Sequence, residues 1–297
     1  NVWRADRPQR GRYRQFMQCD IDILGDGSNL AEIELIQATT TTLGKLGFQD
    51  FVIRINERRI LKAMAAFSGF VEEDYDEVFI ILDKMDKIGL DGVREELIQK
   101  EYSEDVVSKY LDLFTQMEQS ENGFEYLVNQ LGDCLEEDVV SRMREIRQCV
   151  EATKSVDFRL EFDPTLVRGM SYYTGTIFEV SLPNFGGSCG GGGRYDQMIG
   201  NFTGKDTPAC GFSLGFERII LLLMESQFQI PNEEKKIAFL LEKNLSMDEI
   251  QGVMVEARAL RNDGEQVLIV KMNKNKKFQK EQLEKEGYQD IREFFCK

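Results

Sequence analysis

Two spacings of apolar residues divide the start of the chain into a strand, a helix and a second strand. Apolar and polar residues alternate one by one over residues 15–25, which predicts a strand with one polar face. Residues 29–46 carry apolar residues at helical spacing, and residues 51–56 form another short apolar strand. This order predicts a βαβ-like region. The apolar positions of the helix are Leu30, Ile33, Ile36 and Leu43.

From about residue 59 to residue 156 the apolar spacing is helical almost throughout. Three apolar sets, each falling on one face of a helix, predict three amphipathic helices. No cluster of chemically reactive side chains stands out in this stretch, which predicts a helical insertion with a structural or substrate-clamping role. The three sets are Val78, Ile81, Leu82 and Met85; Val107, Tyr110, Leu111 and Phe114; and Val139, Met143, Ile146 and Val150.

Strand character returns in residues 156–164 and 172–182. The run "GGSCGGGGRYD" follows at residues 186–196, and its six glycines within eight residues would let the backbone approach a ligand closely. A flexible loop explains the run equally well, and it matches neither GxGxxG nor a P-loop. "GFSLGFERIILLL", residues 211–223, predicts a strand that runs into a helix. Beyond an apparent boundary at Pro231, alternating strands and helices predict a small α/β domain.

Composition narrows the possible chemistry. The 297 residues are 42% hydrophobic and contain no histidine, which excludes Ser-His or Cys-His catalysis and a mixed Cys/His zinc site. The six cysteines form no CxxC pair and fit a reducing cytoplasm. No apolar run approaches the ~18 residues of a membrane span, and the first residues resemble no signal peptide. The start has the character of mid-domain sequence, so we expect a fragment or an unusual N-terminus.

The net charge of −15 argues against coating nucleic acid by bulk electrostatics. Positive charge is instead concentrated locally, which suits a small anionic ligand and a local RNA contact, although a solvated charged face is an equal alternative for the second stretch. The two basic stretches are Arg4, Arg7, Arg10, Arg12 and Arg14; and Lys271, Lys274, Lys276, Lys277 and Lys280.

Several short stretches could bind an anion or a polar ligand. The arginines of "RADRPQRGRYRQF" are predicted to converge across a hairpin that turns at residues 8–11; a solvated basic edge is the alternative. Gln18 and Asp22 lie four apart on one strand face, so both side chains point the same way. "LVRGMSYYTGTIFEV", residues 166–180, places an arginine and two tyrosines on a predicted strand. Arg218, at a strand-to-helix junction, could contact phosphate or solvent.

Four of these stretches, in this order, resemble the histidyl-tRNA synthetases, a class II aminoacyl-tRNA synthetase family. "WRADRPQRGRYRQFMQ" is similar to the family's motif 2 and "GFSLGFERI" to its motif 3. "LVRGMSYYTGTIFE" and "GGGGRYD" are similar to its two histidine-binding signatures. The resemblance implies an α+β fold, with the antiparallel class II sheet, flanking helices, a helical insertion that clamps the tRNA acceptor arm, and a C-terminal anticodon-binding-like domain. The implied divisions are 1–58 and 157–230 for the catalytic core, 59–156 for the insertion and 231–297 for the last domain.

The resemblance also implies an ATP site. Arg4 is expected to contact the α-phosphate and Arg12 the distal phosphates, and Asp6 occupies the acidic position of motif 2. Glu217 and Arg218 would brace the other side of the triphosphate. Activation joins two anions, so arginines must screen their repulsion, and Mg²⁺ would bridge the departing phosphates.

The histidine substrate is implied to bind beside that triphosphate. Gln18 and Asp22 would hold its amine and imidazole, while Arg168 would lie between its carboxylate and the α-phosphate, where charge develops in the transition state. Arg4, Arg168 and Arg218 are therefore the expected catalytic residues. The side chains expected to line the pocket are Tyr172, Tyr173 and Tyr195.

The chain departs from the family pattern at several places. Motif 1, which forms the family's dimer interface, has no counterpart; Met17 and Ser171 replace the usual His or Tyr and the usual Asp; and the last domain is short. The leading hypothesis is a cytoplasmic, homodimeric histidyl-tRNA synthetase that uses histidine, ATP and tRNA(His). The alternatives are the regulatory subunit of ATP phosphoribosyltransferase, which senses histidine without charging tRNA, and an RNA-binding pseudo-synthetase domain.

Overall fold

The computed structural model describes residues 1–5, 7–169, 172–183, 185–228, 230 and 235–296. The chain divides into two compact units, Asn1–Ser226 and Gln227–Lys297. The boundary predicted at Pro231 lies outside the described residues. The division of the first unit into core and insertion remains a prediction.

The first unit combines a mostly antiparallel sheet with helices. Its strands are β1 (Val2–Trp3), β2 (Gln15–Phe16), β3 (Gln18–Leu24), β4 (Phe51–Glu57), β5 (Phe158–Phe162), β6 (Thr176–Ser181), β7 (Ser188–Arg194) and β8 (Ala209–Gly215). Its α-helices are α1 (Leu30–Lys45), α2 (Arg58–Ser68), α3 (Tyr75–Leu82), α4 (Met85–Gln99), α5 (Glu104–Gln119), α6 (Gly123–Leu131), α7 (Glu137–Ala152), α8 (Asp196–Thr203) and α9 (Phe216–Glu225).

Six of these strands form one sheet in the order β3-β8-β7-β6-β4-β5, and β1 and β2 form a separate hairpin. Neighbours in the six-stranded sheet are antiparallel except for β4 and β5. The predicted α+β class is confirmed. The strand-helix-strand order at the start is also present, but β3 and β4 are separated by three other strands rather than paired as neighbours.

Packing on the apolar face of the sheet explains why the run has glycine at position 192. The rings of Phe178 on β6 and Phe212 on β8 stack with centroids 5.2 Å apart, and both belong to a core that includes buried side chains of α1 and α9. A Cβ on Gly192, which lies between them, would stand 2.7 Å from the Phe178 ring and overlap the carbonyl oxygen of Gly211. The run is thus an inner strand, because two aromatic rings need the space above it, and not a flexible loop.

Two of the three apolar sets predicted in the helical stretch are confirmed completely. The predicted apolar positions of α5 and α7 are all buried. In the remaining set, α3 ends at Leu82, and Met85 begins α4 instead of continuing the same face. On α1, Leu30 is 61% exposed because it is the first residue of the helix, whereas the other predicted positions are buried.

The second unit contains β9 (Lys236–Leu241), α10 (Met247–Asn262), β10 (Gln266–Lys271), α11 (Lys276–Lys285) and β11 (Asp290–Phe294). The strands form a parallel sheet in the order β10-β9-β11. The sequence did not predict β11, since its short charged segment lacks a long apolar run. In the described parts of both units, no helix has the length and apolar character needed to span a membrane.

Candidate functional site

A cavity of about 370 Å³ lies on the polar face of the six-stranded sheet, between the β1–β2 hairpin, the β5–β6 loop and the start of α9. It brings together most of the side chains singled out in the sequence. Those lining it are Arg4, Arg12, Gln18, Arg168, Tyr172, Tyr173, Glu217 and Arg218. Asp6 lies outside the described residues, and the described lining does not include Asp22 or Tyr195.

One row of paired residues crosses the whole sheet beneath this cavity. Directly paired residues point to the same face, so the row sets which side chains meet. Its members, from edge to edge, are Asp20, Ser213, Gly191, Glu179, Arg54 and Glu161. At Gly191 the row has no side chain, and the guanidinium of Arg168 occupies the space. A Cβ on Gly191 would stand 2.7 Å from the guanidinium carbon of Arg168.

The next row of the same face holds Asp22, one of the predicted histidine-binding residues. Asp22 pairs with Gly211, and Gly211 pairs with Gly193. A Cβ on Gly193 would stand 3.0 Å from the Tyr173 ring, and one on Gly211 would overlap the Asp22 carboxylate. The Tyr195 hydroxyl donates to Oδ1 of Asp22 at 2.5 Å. The polar-face glycines therefore leave room for side chains that come from elsewhere in the chain.

Both of these tyrosines remain neutral donors near neutral pH. Burial, followed by the hydrogen bond to Asp22, raises the pKa of Tyr195. Burial also raises the pKa of Tyr173, helped by the neighbouring Tyr172. A neutral phenol beside an exposed carboxylate such as Asp22 suits a ligand that carries both hydrogen-bond donors and acceptors.

Arg168, Tyr172 and Tyr173 lie in the loop between β5 and β6, and the prediction that they lie on a strand is wrong. The loop is fixed because Leu166 and Val167 are buried, and because Nδ2 of Asn56 donates to the Leu166 carbonyl at 3.0 Å. Met170 and Ser171 lie outside the described residues.

A tight turn at Gly169 sets the position of the two tyrosines. Gly169 has a φ of 51°, and its carbonyl accepts from the amides of Tyr172 and Tyr173 at 3.0 and 2.9 Å. The two tyrosine rings meet edge to face, with centroids 4.5 Å apart. A Cβ on Gly169 would overlap the Tyr173 ring, so both the turn and the ring placement require glycine here.

The hairpin carries Arg4 to the same cavity. Strands β1 and β2 pair Val2 with Phe16, and the turn contains Gly11 at a φ of 67°. The Arg4 guanidinium lies 5.0 Å from the centroid of the Phe16 ring and donates to Oε1 of Gln18 at 2.9 Å. Nε2 of Gln18 in turn donates to Oγ of Ser213 on β8 at 2.8 Å. Gln18 thus connects the hairpin to the sheet.

The first turn of α9 closes the opposite side. Nε of Arg218 donates to the Gly11 carbonyl at 3.0 Å, and another of its nitrogens donates to the carbonyl of Ser188. Oε1 of Glu217 accepts from the amide of Met17 at 2.7 Å. Both side chains therefore hold the hairpin against the end of the sheet as well as lining the cavity.

The cavity is electrostatically prepared for an anion. Burial, and then the positive charges of Arg12, Arg168 and Arg4, lower the pKa of Arg218. Burial and the neighbouring positive charges thus both disfavour the charged guanidinium of Arg218, and a bound anion would offset the part that comes from those charges. In the described ranges, no group of three or more acidic or cysteine side chains is arranged to hold a metal ion.

Sequence reasoning missed two charged residues behind the cavity, Arg54 and Glu179. Glu179 accepts a hydrogen bond from Arg168, and Arg54 contacts Glu179 from the neighbouring strand. The available signal was the alternation in "TIFEV", which places Glu179 on the face opposite Phe178 and Val180.

Comparisons with known proteins agree with one another. A sequence model of the family described as "Histidyl-tRNA synthetase" matches residues 1–219. The "Histidine--tRNA ligase" of Leifsonia xyli subsp. xyli is 48% identical over 227 residues, which cover 75% of this chain and 52% of that protein. The chain spans about half the length of the curated relatives that it matches.

Two solved structures share the fold. The histidyl-tRNA synthetase from Nostoc sp. PCC 7120 has a TM-score of 0.75 at 24% identity, over 94% of this chain and 66% of that chain. The "ATP phosphoribosyltransferase regulatory subunit/histidyl-tRNA synthetase" from Bacillus halodurans also has a TM-score of 0.75, at 22% identity, over 99% and 71% of the two chains. At these identities the likeness concerns the fold alone.

Proposed function

This chain belongs to the histidyl-tRNA synthetase family, and from that premise we propose that its cavity activates histidine with ATP. The products are histidyl-adenylate and pyrophosphate. The observation that carries the proposal is the convergence of four arginines, Arg4, Arg12, Arg168 and Arg218, on one cavity. Arg168 and Arg218 are partly buried there and Arg4 and Arg12 are exposed, and an anion bound among the four would offset their mutual repulsion.

In the proposed reaction a carboxylate oxygen of histidine attacks the α-phosphorus of ATP. The new oxygen–phosphorus bond forms as the bond to the bridging oxygen of the β-phosphate breaks, and pyrophosphate leaves with that electron pair. Arg168, in the centre of the sheet face, would screen the meeting anions, while Arg4, Arg12 and Arg218 would hold the triphosphate. Mg²⁺ enters as part of the ATP substrate, and Glu217 is the carboxylate that the described lining offers to it.

Polar groups in the cavity, together with the Asp22–Tyr195 pair outside its described lining, support histidine as the amino acid. Gln18 can accept from the substrate amine, and Tyr173 packs over a bare part of the sheet where a ring could lie beside it. Asp22, with Tyr195 donating to it, can accept from an imidazole N–H. Because the chain has no histidine, the substrate would supply the imidazole of this site.

The alternative is a histidine sensor, as in a regulatory subunit of ATP phosphoribosyltransferase. Such a sensor needs the polar pocket but not a cluster of arginines for a triphosphate, so the cluster favours activation. Transfer of histidine to tRNA(His), assembly as a homodimer and a cytoplasmic location extend the proposal beyond the cavity and rest on family membership.

Histidine-dependent exchange of labelled pyrophosphate into ATP tests the proposal, in the longest protein that the gene encodes. We expect exchange with histidine and none with other amino acids. Binding of histidine in a calorimeter without any exchange would contradict activation and support the sensor. Arg12→Ala is the matching variant: it should weaken ATP binding while leaving histidine binding within about threefold of the parent.

A further inference from the structure

Glu179 bridges two arginines behind the cavity. Its Oε2 accepts from the Arg168 guanidinium, and its Oε1 accepts from NH1 of Arg54 at 3.3 Å. The side chain is only 12% exposed, whereas that of Arg168 is 34% exposed. The strand register produces this arrangement, since Glu179 pairs with Arg54 on one side and with Gly191 on the other. The empty position at Gly191 lets Arg168 reach the carboxylate from the loop above.

Arg54 is in turn fixed from several directions. Its Nε donates to Asp163, its NH2 donates to Oγ1 of Thr165 at 3.3 Å, and its NH1 approaches Oδ2 of Asp86 at 3.2 Å. Burial acts to lower the pKa of Arg54, but the carboxylates of Asp163, Asp86 and Glu179 outweigh it and raise that pKa. The guanidinium is therefore a permanent charge that ties Glu179 to the first residues of the Arg168 loop.

Asp163 connects this charge to the loop backbone. Its Oδ1 accepts from the backbone amide of Thr165 at 2.8 Å and from the Thr165 hydroxyl at 2.6 Å. The loop that carries Arg168 thus begins at a carboxylate held by Arg54, and its arginine ends at a carboxylate held by the same residue. The Arg54 guanidinium therefore fixes both Asp163, at the start of the loop, and Glu179, which accepts from Arg168.

We propose that Glu179 is a positioning residue for the activation of histidine: it holds Arg168 over Gly191, and Arg54 holds Glu179. This inference rests on the proposed function. An arginine side chain has four rotatable torsions, so without an anchor its guanidinium is spread over many rotamers. A displacement of about 1 Å at a reacting centre can lower a rate by a factor of about 10². Glu179 acts through Arg168 and makes no contact with substrate in this scheme.

The variant Glu179→Gln keeps the size of the side chain and removes its charge. We expect the maximal rate of pyrophosphate exchange to fall about 10- to 100-fold, with the KM for histidine within about threefold of the parent. Glu161→Gln is the matched control, because it removes a carboxylate from the same row at the sheet edge. The Glu161 side chain forms an ion pair with Arg159, and both side chains are exposed. The exchange rate of this control should stay within about twofold of the parent.

A double-mutant cycle separates positioning from general damage. If Glu179 acts only through Arg168, Glu179→Gln combined with Arg168→Ala exchanges no more slowly than Arg168→Ala alone. The same cycle is then measured a second time by calorimetry, with the affinity for a non-reactive sulfamoyl analogue of histidyl-adenylate in place of the exchange rate. Additive losses in both measurements, or a Glu179→Gln rate equal to that of Glu161→Gln, would overturn the inference. If the parent shows no exchange but the affinity cycle shows coupling between Glu179 and Arg168, the proposed function is wrong and the positioning of Arg168 by Glu179 still holds.

Discussion

The guanidinium carbon of Arg168 lies 2.7 Å from the place that a Cβ on Gly191 would occupy. Real Cβ atoms do not come this close to another heavy atom, so any side chain at Gly191 excludes Arg168 from its observed position. The atoms in the way belong to the end of a flexible side chain. A methyl group at Gly191 would therefore move the arginine and leave the strands where they are.

Gly191→Ala should consequently impair activity much more than stability. We expect the rate of histidine-dependent pyrophosphate exchange to fall about 100-fold, because the displaced guanidinium can no longer screen the meeting anions. The free energy of unfolding, measured in urea, should change by less than about 1 kcal/mol.

Gly192→Ala is the matched variant on the other face of the same strand. Its Cβ would overlap the carbonyl oxygen of Gly211 and stand 2.7 Å from the Phe178 ring, and neither backbone nor packed ring can move aside easily. Overpacking of this kind costs about 1–3 kcal/mol of stability or more. Equal losses of stability in Gly191→Ala and Gly192→Ala would show that position 191 serves packing and not the placement of Arg168.

Pyrophosphate should stabilise the folded chain through the arginine cluster. Burial, and then the positive charges of neighbouring arginines, lower the pKa of Arg218, and an anion in the cavity would offset the repulsion among those charges. At a concentration 100 times its Kd, a ligand adds about 2.7 kcal/mol to the free energy of unfolding. We expect pyrophosphate to raise the Tm measured by calorimetry, and Arg218→Ala to lose most of that increase.

Arg10→Ala provides the comparison for this measurement. Arg10 carries the same charge as Arg218 and lies on the hairpin that Arg218 contacts, but it pairs with Glu225 at 2.5 Å and does not belong to the described cavity lining. Its variant should keep the pyrophosphate-dependent rise in Tm. If both variants lose the rise equally, pyrophosphate is bound by the general charge of the hairpin and not by the cavity.

Local patterns predicted the parts of this fold that depend on neighbouring residues. The spacing of Val107 and Phe114 gave the buried face of α5, and the alternation in β3 correctly placed Gln18 and Asp22 on one face. Both follow from the fixed geometry of a helix or strand, which the sequence of one segment is enough to determine.

The features that could not be predicted depend on strand pairing between distant segments. The position of Glu179 beside Arg54 and Gly191 is set by the register of three strands, and no single segment contains that register. The same holds for the glycine run, because Phe178 and Arg168, which need the space on its two faces, come from other segments of the chain. Sequence alone singled out the arginines that line the cavity but not the residues that hold them.

Cys189 lines the cavity, and its reactivity should depend steeply on pH. Burial, opposed by the nearby charge of Arg218, raises the pKa of this thiol to about 11. Because the thiolate is the reactive form, alkylation by iodoacetamide should be slow at pH 8 and increase about tenfold per pH unit up to about pH 10. Mass spectrometry can follow it against the exposed Cys19. Alkylation of Cys189 at pH 8 as fast as that of Cys19 would contradict its burial.

The raised pKa of Cys189 also determines whether the stability of the fold rises or falls with pH. The folded chain retains a proton on Cys189 that the unfolded chain releases near the ordinary thiol pKa of 9.0. The stabilisation is therefore complete below about pH 9 and is lost as the pH rises towards 11. Burial raises the pKa of Cys210 as well, so both thiols act in the same direction. Between pH 8.5 and 10 the Tm of Cys189→Ser should therefore fall less than that of the parent protein.

A buried ion pair, Arg194 with Glu32, joins α1 to the strand that carries the glycine run. Nε and NH2 of Arg194 donate to the two carboxylate oxygens of Glu32 at 2.7 and 2.6 Å, and the side chains are 4% and 1% exposed. Removing Glu32 leaves the buried Arg194 with only the more exposed Asp196, at 3.1 Å, as an ionic partner, and breaking a buried pair costs about 3–5 kcal/mol. Glu32→Gln should lower the free energy of unfolding in urea by this amount.

Glu125→Gln tests whether burial is the cause, because Glu125 and Arg144 form a pair of the same geometry in solvent. Nε and NH2 of Arg144 donate to the two oxygens of Glu125 at 3.0 and 2.6 Å, with side chains 46% and 37% exposed for the arginine and the glutamate. Water replaces a lost partner at such a site, so Glu125→Gln should cost less than about 1 kcal/mol. Similar losses in the two variants would mean that the Glu32 carboxylate is reached by water and that α1 is held to the sheet mainly by its apolar face.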